Sequence, residues 1–325
     1  RLVGSEMCIR DRQKYEEAIY FDSRCTPAYL KYADIYKSAN AGLAIEKLNQ
    51  LKTLEPSNTA IDKKLAEIYY LKNDFSKAAD AYSRFAMGPT ANEEDLVKYA
   101  FALFLNHDFA KSLEVANMGL KKNPRHAAFN RLAMYNNTDL KRFEEALKAA
   151  DVFFNECDKA DYSYLDYMYY GHLLEELKKY DEAVGQYEKA VELDPTKTDL
   201  YKNISSVYEQ KNDYKKAIGA YHKYYSSLEK EKQTPDLQFQ LGRLYYGAGT
   251  QPDSLTINVE ERKQALMSAD SVFQVISEAA PDSYLGNFWR ARANSALDPE
   301  TTQGLAKPFY EEVAALLESK NDPHY

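Results

Sequence analysis

The side chains that could do chemistry here are five histidines, His107, His126, His172, His222 and His324, and three cysteines, Cys8, Cys25 and Cys157. Imidazole and thiolate act as metal ligands or nucleophiles when they converge, and sequence spacing is the first sign of that. None of these residues forms a CxxC pair or a Cys/His cluster of metal spacing. The paired acids Glu16-Glu17 and Glu175-Glu176 read as solvated helix charges. No phosphate-binding GxxxxGK[ST] or GxGxxG, no HExxH, no GxSxG and no calcium loop occurs. No catalytic residue, cofactor or metal site is therefore indicated, and the expectation is a protein that binds rather than reacts.

The bulk composition narrows the partner. Net charge is −8, which suits neither a polyanion nor an anionic membrane surface. The one dense basic patch, Lys121, Lys122, Arg125 and His126 around Pro124, reads as a solvated loop rather than a nucleic-acid site. No run of 18 apolar residues exists, so no membrane span is expected. With 12 Gly, 11 Pro and 45% hydrophobic residues, the chain is neither loop-rich nor disordered. It has 28 Tyr but one Trp. A tyrosine ring fills space while its hydroxyl stays near water, which suits a thin architecture.

The elements that would position any site follow a beat of 34 residues. Tyr167, Gly171, Ala183 and Tyr187 are answered 34 positions later by Tyr201, Ser205, Ala217 and Tyr221. Phe75, Phe109 and Phe143 keep the same beat, as do Ala66, Ala100 and Met134. A fixed period of this size means stacked copies of one supersecondary unit, each touching its neighbours. The unit is clearest from Tyr164 to Lys197. Tyr167, Tyr170, Gly171 and Leu174 mark one face of a first helix, and Lys178-Lys179 make a polar turn. Tyr180, Ala183, Tyr187, Ala190 and Val191 mark a second helix, which Asp194-Pro195 ends. Gly171 and Ala183 are small so that the two helices can approach, and Tyr187 fills the space beside them.

The pattern Tyr167…Tyr170-Gly171…Leu174…Ala183…Tyr187…Ala190…Pro195 resembles the tetratricopeptide repeat, with Tyr167 where that family prefers Trp. The resemblance implies an all-α, right-handed superhelical solenoid of antiparallel helix pairs. Stepping along the chain gives units at 26–58, 59–92, 93–126, a degenerate 127–163, then 164–197, 198–234 and 235–283, with a degenerate pair at 284–325. The first is one residue short, in the Ala39-Asn40-Ala41-Gly42 turn. The seventh is expected to carry an inserted loop near 247–260. Residues 13–25 read as the second helix of a truncated repeat. Residues 1–12 break the pattern and resemble a translated sequencing-adapter peptide. Both ends are expected to expose apolar surface.

In the family, the first helix of each repeat lines a concave groove, with groove residues at the second, fifth, ninth and twelfth positions. Carried over, the resemblance offers Lys63, Glu67 and Tyr70, then Val97, Phe101 and Phe104, then Arg131 and Tyr135. It continues with Met168, His172 and Glu175, then Lys202 and Glu209, then Phe239, Arg243 and Tyr246. The carboxylate clamp of chaperone-binding members is not reproduced: Lys63 is followed by Glu67, and Lys202 by Ser206. The function implied is a non-enzymatic scaffold holding a peptide or partner helix in the groove. A looser likeness to long multi-repeat proteins of bacterial envelopes suggests envelope assembly or nutrient uptake; a cytoplasmic location stays open. A carbohydrate- or small-ligand-binding solenoid, or the regulatory arm of a larger enzyme or sensor, are the alternatives. Oligomeric state is left open.

Overall fold

The computed structural model describes residues 13–88, 91–157, 161–252 and 258–319. Residues 1–12, and the 253–257 part of the expected insertion, lie outside them. Every regular element among the described residues is helical. The chain divides into two compact units, one up to Asp161 and one from Tyr162.

In the first unit, a helix containing residues 13–21 (α1) precedes α2 (Thr26–Ala39), α3 (Ala41–Leu54), α4 (Thr59–Leu71), α5 (Phe75–Ser83), α6 (Glu93–Leu105), α7 (Phe109–Lys122), α8 (Ala127–Asp139) and α9 (Phe143–Asn155). The second unit holds α10 (Tyr164–Glu176), α11 (Tyr180–Leu193), α12 (Leu200–Gln210), α13 (Tyr214–Ser227), α14 (Pro235–Gly249), α15 (Val259–Ala279), α16 (Leu285–Leu297) and α17 (Lys307–Ser319). Within each unit a helix packs mainly on the one before it and the one after it, the arrangement of stacked helix pairs.

The small positions of the sequence pattern mark where paired helices meet. A Cβ on Gly171 of α10 would lie 2.8 Å from the Tyr187 ring of α11, so any side chain there would displace the ring. Two other pairs use serine at the same contact, from opposite sides. Ser112 of α7 donates to the Ala100 carbonyl, and Ser205 of α12 to the Ala217 carbonyl, each at 2.8 Å. A hydroxyl is scarcely larger than a methyl, and the backbone carbonyl satisfies it, so the close approach survives.

The turns inside the pairs are built alike. Asn73, His107, Lys141, Lys178 and Asn212 all adopt left-handed backbone, with φ between 58° and 61°. The next residue donates its N–H to the carbonyl five positions back: Asp74 to Tyr69, Asp108 to Leu103, Arg142 to Asn137, Lys179 to Leu174 and Asp213 to Tyr208. That is the Schellman closure of a first helix. The donating residue is also the N-cap of the second helix. Asp74, Asp108 and Asp213 accept from the backbone N–H three residues on; Arg142 and Lys179 have no oxygen to offer. In the short first turn, α2 runs to Ala39 and Asn40 serves as both caps. The residue it lacks is the left-handed one.

The insertion expected near 247–260 is helical at its two ends. Gly247, Ala248 and Gly249 complete α14, and α15 begins at Val259 and runs for 21 residues. The two glycines serve packing rather than a loop. A Cβ on Gly247 would sit 2.3 Å from the Tyr214 ring, and one on Gly249 would sit 2.3 Å from Leu266 Cγ. The start of α15 is set by a capping box, in which Asn258 accepts from the Glu261 N–H and Glu261 from the Asn258 N–H. After α16, the break at Leu297-Asp298-Pro299 is wound around one carboxylate. Asp298 accepts from the Thr302, Gln303 and Gly304 backbone N–H groups and the Thr302 hydroxyl.

Two stability predictions follow from this packing. Tyr187 is fully buried, so Tyr187→Ala should cost about 3–5 kcal/mol. Hydrogen exchange should show the loss centred on α10–α13, since coupling in a repeat array is to nearest neighbours; a uniform loss along the chain would contradict this. Lys179 has φ −88° and ψ 63°, close to the −87° and 67° of the capping Asp213. Lys179→Asp should therefore stabilise by about 1 kcal/mol, read from chemical denaturation; no gain would show that the Lys179 turn cannot accept a cap.

Candidate functional site

The residues expected to line a groove lie on the first helices, and the structure sorts them into those consumed by packing and those left on a face. In the first unit, most are consumed. Lys63 of α4 pairs with Asp95 of α6 at 2.7 Å, and Asp95 also closes the capping box of α6 with Asn92. Glu67 accepts from Lys64 at 3.0 Å, and Lys64 reaches Asp34 of α2 at 2.9 Å. These pairs tie one first helix to the next. Tyr70 packs edge-on against Phe75 at 5.6 Å, and burial raises its phenol pKa. Val97 and Phe101 are half-buried on α6.

Three expected groove residues of this unit are engaged by their surroundings. Phe104 and Tyr135 are 8% and 1% exposed and stack on each other at 5.5 Å. They join α6 to α8 instead of offering a free surface. Arg131 lies over the Phe153 ring at 5.1 Å and donates to the Asp161 carbonyl. It pins the chain after α9 to α8. Nearby, Arg125 of the basic patch donates to the Glu156 carbonyl at 2.6 Å, and His126 lies 3.6 Å from Glu93.

In the second unit, the expected residues fall on α10, α12 and α14 and are linked in series. Met168 packs half-buried against the core between α11 and α12, and His172, one turn on, is exposed. Glu175 accepts from the Tyr187 hydroxyl at 2.9 Å and from Gln210 of α12 at 2.6 Å. Burial first, and then the Glu175 charge, push the Tyr187 phenol pKa far up, so its hydroxyl stays a donor. Lys202 of α12 is exposed. Glu209 accepts from Gln240 of α14 at 3.4 Å and lies 3.9 Å from Arg243. Phe239 meets the Phe273 and Trp289 rings at 5.7 and 5.5 Å, and Tyr246 stands edge-on to Trp289 at 5.4 Å.

The face continues onto α16 through residues that the repeat stepping did not offer. The Arg292 guanidinium carbon lies 4.6 Å from the Trp289 ring centroid, 5.1 Å from Tyr246 and 6.0 Å from Phe288. A sequence signal for them exists: Phe288 and Arg292 follow Phe239 and Arg243 by 49 residues, the length of the long seventh unit. A search at the fixed beat of 34 passes over it.

No group of three or more His, Cys, Asp or Glu side chains among the described residues is placed to hold a metal ion. No helix among them is long and apolar enough to cross a membrane. What the second-unit face offers is a row of mixed charge, amide and aromatic groups on successive first helices.

Comparison with known proteins places these features. A family model described as tetratricopeptide repeat matches residues 165–197, the unit that carries the fullest residue pattern. Curated protein sequences give no match. The chain is similar to the C-terminal part of a TPR repeat-containing protein from Cytophaga hutchinsonii. Identity is 29% and the TM-score 0.52, over 69% of this chain and 80% of that one. It shares its fold with a tetratricopeptide repeat protein from Parabacteroides merdae at 17% identity and a TM-score of 0.52, over 93% of this chain and 99% of that one. Residues 165–197 thus match a tetratricopeptide repeat, and the stacked helix pairs share the all-helical fold of tetratricopeptide-repeat proteins.

Proposed function

We propose that this protein is an interaction scaffold whose second unit holds an extended segment of a partner protein along the first-helix face of α10, α12, α14 and α16. Repeats of this fold act as protein-binding scaffolds. The observation that carries the finer reading is the series of cross-helix links on that face. Glu175 with Gln210, Glu209 with Gln240 and Arg243, and Tyr246 with Trp289 and Arg292 hold neighbouring helices in register. Between these links His172 and Lys202 stand exposed. A face whose polar groups are already oriented loses little side-chain freedom when a partner arrives, which favours affinity.

The mixed chemistry also favours a protein over a purely apolar ligand. Aromatic and arginine side chains concentrate binding energy at interfaces, and here Tyr246, Phe239, Arg243 and Arg292 supply both. In the first unit, the half-exposed Val97 and Phe101 are the remaining contributors, with Phe104 and Tyr135 buried behind them.

The test is affinity capture from the source cells with three baits. The triple variant His172→Ala, Lys202→Ala and Tyr246→Ala should lose a partner retained by the wild type, with affinity down about 10-fold or more. The second-helix control Glu188→Ala with Glu192→Ala, at exposed positions of α11, should retain it. A triple variant that holds every captured protein as well as the wild type would overturn the reading.

A further inference from the structure

Every arginine described on α14 and α16 except one has an oxygen to meet. Arg243 lies by Glu209 and donates to the Gln240 side chain at 3.3 Å. Arg290 meets Asp270 at 3.0 Å, with the Phe309 ring beneath it at 4.2 Å. Arg292 has rings alone: Trp289, Tyr246 and Phe288 within 6.0 Å of its guanidinium carbon, and no carboxylate or hydrogen-bond acceptor for its side chain among the described residues. It is half-buried rather than extended into solvent. Stacked rings fix the plane of a guanidinium but leave its N–H edge free. Burial then sharpens the need for an acceptor, because a partly desolvated charge gains more from a paired anion than an exposed one does.

We infer that Arg292 is the anchor for a carboxylate of the bound partner, and that the occupant of the second-unit face is an acidic peptide segment. The inference rests on the reading of that face as the binding site, and adds the chemistry of what it takes. Charge complementarity supports it. The face's own acids are engaged, Glu175 by Tyr187 and Gln210 and Glu209 by Gln240 and Arg243. Its cations Lys202 and Arg292 have no acid partner among the described residues. With Lys202, Arg243 and Arg292 against Glu175 and Glu209, the named residues of the face carry one cation more than they carry acids, in a chain whose net charge is −8. A planar guanidinium accepts a carboxylate through two parallel N–H···O bonds, a geometry that lysine cannot copy. The rings around Arg292 would meet an apolar residue next to the acid, so the fitting segment alternates acidic and apolar side chains.

The chain has one tryptophan, and Trp289 touches Arg292, so its emission reports directly on the site. The probe is an acetylated, amidated octapeptide of alternating Asp and Leu, set against the same peptide with Asn for Asp, titrated into the full chain. The Asp peptide should give a saturable change in Trp289 emission that the Asn peptide does not. Arg292→Met, which keeps the bulk over the rings, should weaken binding about 10-fold or more, and Arg292→Lys should fall between. Near-ultraviolet circular dichroism checks that the ring cluster survives each change. Equal response to both peptides, an unaffected Arg292→Met variant, or no response to the Asp peptide would each overturn the assignment. The wider reading is judged separately: it falls when the His172, Lys202 and Tyr246 variant keeps its captured partner, whatever the peptides do.

Discussion

The architecture depends on one steric constraint: two helices must approach where one of them presents almost nothing. At Gly171 the Tyr187 ring occupies the space that a side chain would fill, and the same relation recurs between Gly242 and Phe273. An aromatic ring set in this way touches both helices of its pair and excludes water from the contact. Where serine stands at the contact, its hydroxyl is absorbed by a backbone carbonyl. Repetition of this contact is what lets short helices, each with limited stability of its own, persist as a stack.

A second layer of order comes from the turns. A left-handed residue that is not glycine is disfavoured on its own. Yet five of them recur at the same place, each followed by a residue whose N–H closes the first helix and whose position caps the second. One residue thus ends one helix and starts the next, which fixes the angle of the pair with little chain. Lysine over tyrosine adds a surface brace that keeps the beat. Lys77 lies over Tyr69 and Lys216 over Tyr208, and Lys189 over Tyr167 is repeated as Lys223 over Tyr201. Together these contacts hold each second helix against the first helix of its own pair.

Much of this was legible in the residues, because the fold-defining contacts are local and periodic. Gly171, Ala183 and Tyr187 announce their pair within a single unit. What was not legible depended on distant neighbours. Gly247 and Gly249 look like loop residues, and only the presence of Tyr214 and Leu266 shows why a helix needs them small. The Asn258 and Glu261 box was a local signal for the helix start that the search for a regular beat obscured. The periodic rule also gives a face, not its cover. Phe104, Tyr135 and Arg131 stand at groove positions, but each is taken up by a neighbouring side chain or carbonyl. Arg292 escaped because the seventh unit is 49 residues from its successor in this register, not 34.

The hydroxyl of Tyr187 reaches out of the packing to Glu175 on the exposed face. A partner that drew the Glu175 carboxylate to itself would take from the Tyr187 O–H the acceptor it uses, leaving Asn203 as its side-chain neighbour, at a cost of up to a lost hydrogen bond. Under the proposed reading, occupancy of the face and the cohesion of the stack would be linked quantities. A ligand that leaves Glu175 in place binds a rigid surface, whereas one that recruits it loosens the pair beneath. If the face holds a partner as proposed, the interior of the repeat takes part in choosing it.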